Sequence, residues 1–274
     1  MSKQQKYNTN LGKLQVTTSI YPLYFFTTQI GGIQVAVKNI TPAGAEPHDY
    51  EPSTQDLATI ENSKLLILNG ENLESWAKKI SNEVEQNGVK VITVGEGFVN
   101  NDPHIWLSPN LAKKEVENIL EGIIAVDRTH EQSYTARAQS LLQQLDELDT
   151  KYRAELSRCH RKDFITSHAA FGYLARDYGL NQVSIAGLSP DEEPSPKQLA
   201  AVSQFAKEHE IKYIFFEKLV SPRFSETLAH EVGAQTLVLD PLEGVPTEDI
   251  QKGVNYFTVM EQNLTNLKTS LECQ

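Results

Sequence analysis

Cysteine is nearly missing from this chain: two in 274 residues, Cys159 and Cys273. That excludes a small core stapled by many disulfides. The pair are either two unrelated thiols or one disulfide tying the C-terminal helix back to its own domain in an oxidising compartment. Long apolar runs are missing too, and nothing approaches the roughly 18 uninterrupted apolar residues of a membrane span. The opening stretch, Met1–Lys13, is rich in Asn, Gln and Lys and lacks the apolar h-region of a signal peptide, so it reads as a start placed before a mature protein. Basic runs are absent. With 25 Lys and Arg against 36 Asp and Glu, the net charge is −11, and no face is set up to neutralise phosphates, which argues against nucleic acid. The acidity suits cation ligands but decides little. There is no phosphate-cradling glycine loop, since Gly31-Gly32 ends a helix where such a loop would open one. There is also no nucleophile elbow, and Ser167 beside His168 is sequence adjacency, not triad geometry.

What the chain does have is alternation. Strands are expected at Leu14–Ile20, Ile33–Ile40, Leu65–Leu68 and Val89–Val94. Between them lie helices from Tyr21-Pro22 to Gly31, from an N-cap at Ser53 to Asn62, and around Leu73–Val84. The loops Thr41–Tyr50 and Gly95–Pro103 are marked by Pro and Gly. Ser108-Pro109 opens a helix to about Val126, and a second helix, Thr129–Arg158, carries apolar residues at three- and four-residue steps. At roughly 30 residues it would run about 45 Å, longer than one small domain needs, which favours a rigid strut between two lobes over a surface helix of one large domain.

The alternation then restarts. Strands are expected at Asp163–Ser167, Gln182–Ala186, Ile211–Phe216 and Gln235–Leu239. The helices are Ala170–Tyr178, Lys197–His209, Pro222–Val232 and a last one over Thr247–Leu271. The fold class is therefore α/β, with two Rossmann-like lobes of parallel sheet joined by a long helix. The divisions are residues 11–127, 128–158 and 159–274.

His48, His104, His168 and Asp240 each fall just past the carboxyl end of an expected strand, two in each half. Ligands of open parallel sheets bind outside those ends. If the lobes face each other, all four converge on the interlobe cleft. Three neutral imidazoles and a carboxylate form an N/O set that Zn²⁺ accepts, whereas Mn²⁺ prefers more oxygen. Affinity should then fall below about pH 6.5, where imidazoles protonate. Glu217 and Glu243 could accept a hydrogen bond from an imidazole, or simply face solvent; Glu46 is equally ambiguous. Trp106 and Tyr21 read as core or cleft wall. His130, His160, His209 and His230 lie in polar or basic runs or late in helices and read as ordinary surface residues.

Ser19–Tyr24, Pro42–Pro52, Asp102–Leu107, Ser167–Tyr173, Ile185–Pro190 and Leu239–Leu242 together resemble the metal-specific solute-binding proteins of ABC importers, the zinc-uptake (ZnuA-like) branch of the TroA-like superfamily. The resemblance runs in order from about Leu14 to Leu271. It implies a bilobed protein with limited hinge motion, with the metal held by His48, His104, His168 and Asp240. Manganese-type members often have Glu where this chain has His168, so zinc is favoured, with Mn²⁺ or Fe²⁺ as alternatives. It further implies delivery to an ABC membrane permease and a location in the periplasm or at a lipid anchor on the outer face of the cytoplasmic membrane. It implies a monomer and no catalytic activity. A surface-adhesin role, attributed to some relatives, is a further alternative; a zinc hydrolase is the rival class, but four protein ligands would leave no position for water. One departure is the lack of the long His- and acid-rich loop that many zinc-type members carry before the Asp-Pro-His segment; here Gly95–Asn101 is short and has no histidine.

Overall fold

β-Branched and leucine-rich runs of four or five residues set the frame. Leu14–Thr18 (β1), Val35–Asn39 (β2), Leu65–Leu68 (β3) and Lys90–Thr93 (β4) form one parallel sheet in the order β2-β1-β3-β4. Asp163–Thr166 (β5), Asn181–Ser184 (β6), Tyr213–Phe216 (β7) and Gln235–Val238 (β8) form a second, ordered β6-β5-β7-β8. The computed structural model describes residues 12–70, 72–95 and 102–274. The polar opening stretch before residue 12, with the domain start at residue 11, and the histidine-free loop over 96–101 lie outside the described residues.

Each sheet turns back on itself beside its first strand, at β1/β3 and at β5/β7, which is where a doubly wound sheet opens a crevice at its carboxyl edge. Helices cover the sheets, Ala77–Gln86 (α3), Gly172–Asp177 (α6) and Arg223–Val232 (α8) among them, and several others start where the sequence supplies caps. Thr54–Glu61 (α2) has a reciprocal capping box between Ser53 and Asp56, and Pro196–Glu208 (α7) has one between Ser195 and Gln198. Pro109–Val126 (α4) begins with Ser108 accepting the Leu111 N–H and proline at its first position.

Glu131–Leu156 (α5) runs 26 residues, about 39 Å at helical rise. Its buried stripe is Tyr134, Ala138, Leu141, Leu145, Leu148, Tyr152 and Leu156, one face of a 3.6-residue repeat. The early part belongs to the first lobe: Arg137 donates to the carbonyls of Ile30 and Gly31, satisfying the end of Tyr21–Gly31 (α1). The late part belongs to the second: Tyr152 donates to the Met260 carbonyl, and Lys151 pairs with Glu261. One continuous apolar core follows, containing Leu23 and Phe26 from α1, Ile119 from α4, Leu145 from α5 and Leu264 and Leu267 from the far end of the chain.

Two elements differ from the sequence expectation. The last helix is broken into Thr247–Gln251 (α9) and Tyr256–Ser270 (α10), because Gly253 adopts φ 90° and Asn255 caps a new start. Ile33 lies in a short 3-10 turn, Gly32–Gln34, and is exposed instead of opening β2. Cys159 and Cys273 are joined as a disulfide, fastening the chain end to the segment that follows α5. No described helix is long and apolar enough to cross a membrane.

Candidate metal centre

Each candidate ligand owes its place to a local device. After β2 the backbone stays paired for two more residues (Ile40 N–H to Thr18 O, Thr41 N–H to Ser19 O) and then turns through Pro42–Ala45. His48 follows Pro47, its own N–H donating to Glu46 Oε1 at 3.2 Å. Tyr50 closes this loop by donating to Asp56 at 2.6 Å, beside the cap of α2. His104 sits at the mouth of a 3-10 turn, Ile105–Leu107. Asp102 Oδ1 accepts both its backbone N–H (3.0 Å) and its ring Nδ1–H (2.7 Å). Asn69, anchored through the buried Glu74, donates to the carbonyl of Pro103. His168 lies just past β5. Glu217 at the end of β7 accepts its Nδ1–H at 2.7 Å, while Gln182 from β6 donates to its carbonyl.

Those Nδ1 partners fix the neutral tautomer of His104 and His168, with the proton on Nδ1, and leave Nε2 as the inward-facing atom that can meet a cation. The inward atoms meet. His48 Nε2 is 3.3 Å from His104 Nε2, which is 3.3 Å from His168 Nε2. Glu243 Oε1 stands 3.2, 3.1 and 3.4 Å from the Nε2 atoms of His48, His104 and His168. These four residues form one group able to hold a metal ion. His104 and His168 are fully buried, Glu243 is 1% exposed and the His48 side chain 7%.

The expected fourth member, Asp240, is not in that group; Glu243, three residues on, occupies the place. Asp240 Oδ1 accepts the N–H of Leu242 at 2.9 Å, an Asx turn, and Oδ2 faces Lys218 Nζ at 3.4 Å. Leu242 takes φ 59°, rare for a bulky residue, and this left-handed step turns Glu243 toward the histidines. Complete burial of the Leu242 side chain offsets a strain of about 1–3 kcal/mol. Glu217, read as ambiguous in the sequence, is 3% exposed and seated on His168. Glu46 borders the site half-buried; Trp106 and Tyr21 are buried, as expected of core or cleft wall. His130, His160 and His209 make surface contacts with Asp127, Gln274 and Asp163, away from the group.

The electrostatics are those of crowded donors. Burial alone would raise the Glu243 carboxyl, but hydrogen bonds from His104, His168 and His48 hold it well below the usual carboxylate range. Burial disfavours a charged His168, yet Glu217 and Glu243 outweigh it and push the imidazole up to about 10. The same contest, with Asp102 and Glu243, raises His104. Burial and the Glu243 charge push Glu46 up to about 9. Before any cation arrives, a proton on an imidazole therefore balances the buried carboxylates.

Residues 16–270 match the family model described as "Zinc-uptake complex component A periplasmic" (ZnuA). The chain is 41% identical over 280 residues to the high-affinity zinc uptake system protein ZnuA of Bacillus subtilis, covering 94% of this chain and 88% of that one. It is 39% identical to the zinc-binding lipoprotein AdcA of Streptococcus pneumoniae over 95% of this chain, and spans 56% of that longer protein. The crystal structure of the Zn(II)-bound ZnuA-like domain of that AdcA superposes with a TM-score of 0.85 at 40% identity, covering 95% of this chain and all of that domain.

Proposed function

Because the chain belongs to the ZnuA family of zinc-uptake components, we propose that it is an extracytoplasmic solute-binding protein that captures Zn²⁺ between its lobes and hands it to an ABC permease. The ligands in this reading are His48, His104, His168 and Glu243. The observation that carries it is the size of the donor group. Zinc takes nitrogen and carboxylate oxygen at about 2.0–2.1 Å, and the edge of a tetrahedron of that radius is about 3.3 Å. Five of the six edges here measure 3.3, 3.3, 3.2, 3.1 and 3.4 Å. The three histidine Nε2 atoms and a single carboxylate oxygen suit zinc better than Mn²⁺, which favours oxygen.

The zinc ion is cargo. It is dehydrated into a shell whose imidazoles are already aimed by Asp102 and Glu217, so little ordering is left for binding. Four protein donors leave no coordination position for an attacking water, which favours a carrier over a hydrolase; all four come from one chain, so a monomer suffices to bind the ion. Titration of the metal-free protein with Zn²⁺, Mn²⁺ and Fe²⁺, read by competition with a chromophoric chelator, tests the reading. One tight Zn²⁺ equivalent, bound in preference to the other two, is expected; Mn²⁺ displacing Zn²⁺ at equal concentration would overturn it.

A further inference from the structure

Two buried contacts, one behind the other, join the segment carrying His104 to the segment carrying Glu243. In front, His104 Nε2 faces Glu243 Oε1 at 3.1 Å. Behind, Trp106 donates its indole N–H to the carbonyl of Pro241 at 2.7 Å. Trp106 stands two residues after His104, and Pro241 two residues before Glu243. The contacts are thus two rungs between the same two pieces of backbone.

Both pieces are stiff. On the first-lobe side, Trp106 is the middle of the 3-10 turn Ile105–Leu107, fully buried, its ring edge-on to the His104 ring at 5.3 Å. On the second-lobe side, the turn Asp240–Glu243 is closed by Asp240 on the Leu242 N–H. Its start is clamped to α10 by two bonds: Asp240 N–H to Asn263 Oδ1 at 2.9 Å, and Asn263 Nδ2 to Asp240 O at 2.7 Å. A third bond from α10, Tyr256 OH to the carbonyl of Trp106 at 2.6 Å, holds the tryptophan backbone from the same side. Where two rigid pieces are joined by a few directional bonds, each of those bonds helps to set their spacing.

We infer that Trp106 is a positioning residue for the metal centre: its indole N–H, held on the Pro241 carbonyl, sets the separation of His104 from Glu243 across the two lobes. The inference rests on the zinc-binding reading above. Packing alone would not need the N–H, whereas the register of the two ligands would, so the two roles separate experimentally. The sulfur isostere benzothienylalanine, placed at position 106, keeps the ring and removes only the donor. Tyr256→Phe removes the bond that holds the Trp106 carbonyl. Trp76→Phe, in a separate small core of the first lobe, controls for loss of an indole from that lobe.

The readouts are the zinc Kd, the rate of zinc release into excess EDTA, and the melting temperature of the metal-free protein. The isostere is expected to weaken zinc about tenfold and to speed release in proportion, with Tyr256→Phe a few-fold in the same direction. Trp76→Phe should lower the melting temperature and leave Kd within twofold. If wild type binds zinc and both site variants keep Kd and release rate within twofold, Trp106 is a packing residue only and the inference is overturned. If wild type itself fails to bind zinc, the binding reading falls, and the inference with it.

Discussion

The sharpest test of the centre sets two acidic residues of one loop against each other. Glu243→Gln removes a carboxylate that is 1% exposed and touches three imidazole nitrogens at 3.1–3.4 Å. The amide keeps the shape but not the charge. Removing one partner of a buried charged group costs about 3–5 kcal/mol. At about 1.4 kcal/mol per decade, zinc affinity should fall two to three and a half orders of magnitude. Asp240→Asn keeps the acceptor that closes the turn onto Leu242 and loses a 3.4 Å contact with Lys218, whose side chain is 47% exposed. A contact of that kind is worth about 0–1 kcal/mol, so the change should stay under about fivefold. The assay is competition with a chromophoric chelator, with bound zinc counted by mass spectrometry and folding checked by circular dichroism. Equal losses in the two variants, or a Glu243→Gln protein within threefold of wild type, would refute the assignment of the inner carboxylate.

Four further outcomes follow from the structure. His168 is held up to about 10, so below that pH zinc must displace its proton; log affinity should rise by about one per pH unit through neutrality, seen also as proton release in buffers of differing ionisation enthalpy, and a flat profile from pH 6 to 9 would contradict this. For the metal-free fold the sign is reversed: the stability from a charged His168 is complete below pH 6.5 and is lost as pH rises toward about 10. Glu115 is fully buried on α4, neither oxygen has a hydrogen-bond partner among the described residues, and burial raises it well above the usual carboxyl value. The unfolded chain gains by ionising it first, at about 1.4 kcal/mol per pH unit above the ordinary glutamate value. Glu115→Gln should therefore melt higher than wild type at pH 7 and equally at pH 4; an unchanged difference across that range would exclude the mechanism. At Gly244 an added Cβ would lie 3.2 Å from both Ala45 O and Leu219 Cδ1, so Gly244→Ala should push the His48 loop away from Glu243. Zinc binding should weaken by about tenfold with the melting temperature of the metal-free protein little changed; unaltered zinc affinity would show that the loop gives way freely.

The two-sheet frame was legible because short β-branched runs and capped helices alternate without ambiguity. Three of the four central residues could be placed because a histidine just past a parallel strand has one plausible neighbourhood, the carboxyl edge of the sheet. The fourth could not, because Asp240 and Glu243 share one loop, and which of them turns inward depends on a left-handed leucine. Nothing in a leucine's chemistry announces positive φ; the tertiary burial of its side chain selects it. The role of Glu217 stayed open between imidazole acceptor and solvent for a related reason, since it arrives from a strand 49 positions away in sequence from the histidine it orients, while Asp102, two residues before His104, went unread. The break before α10 was signalled by Gly253 and Asn255, but continuous apolar spacing on either side concealed it.

Helix α5 has a consequence for how the chain tolerates insertion and deletion. It meets the first lobe through Arg137 and the second through Tyr152, about four turns further along. Removing one residue between them would swing the tyrosine hydroxyl about 100° around the axis, away from Met260. Adding a full turn would restore most of the phase but drive the lobes about 6 Å apart along the axis, beyond the reach of a shell whose edges are near 3.3 Å. The helix therefore acts as a vernier, and its length in residues constrains the site as firmly as the identity of a ligand.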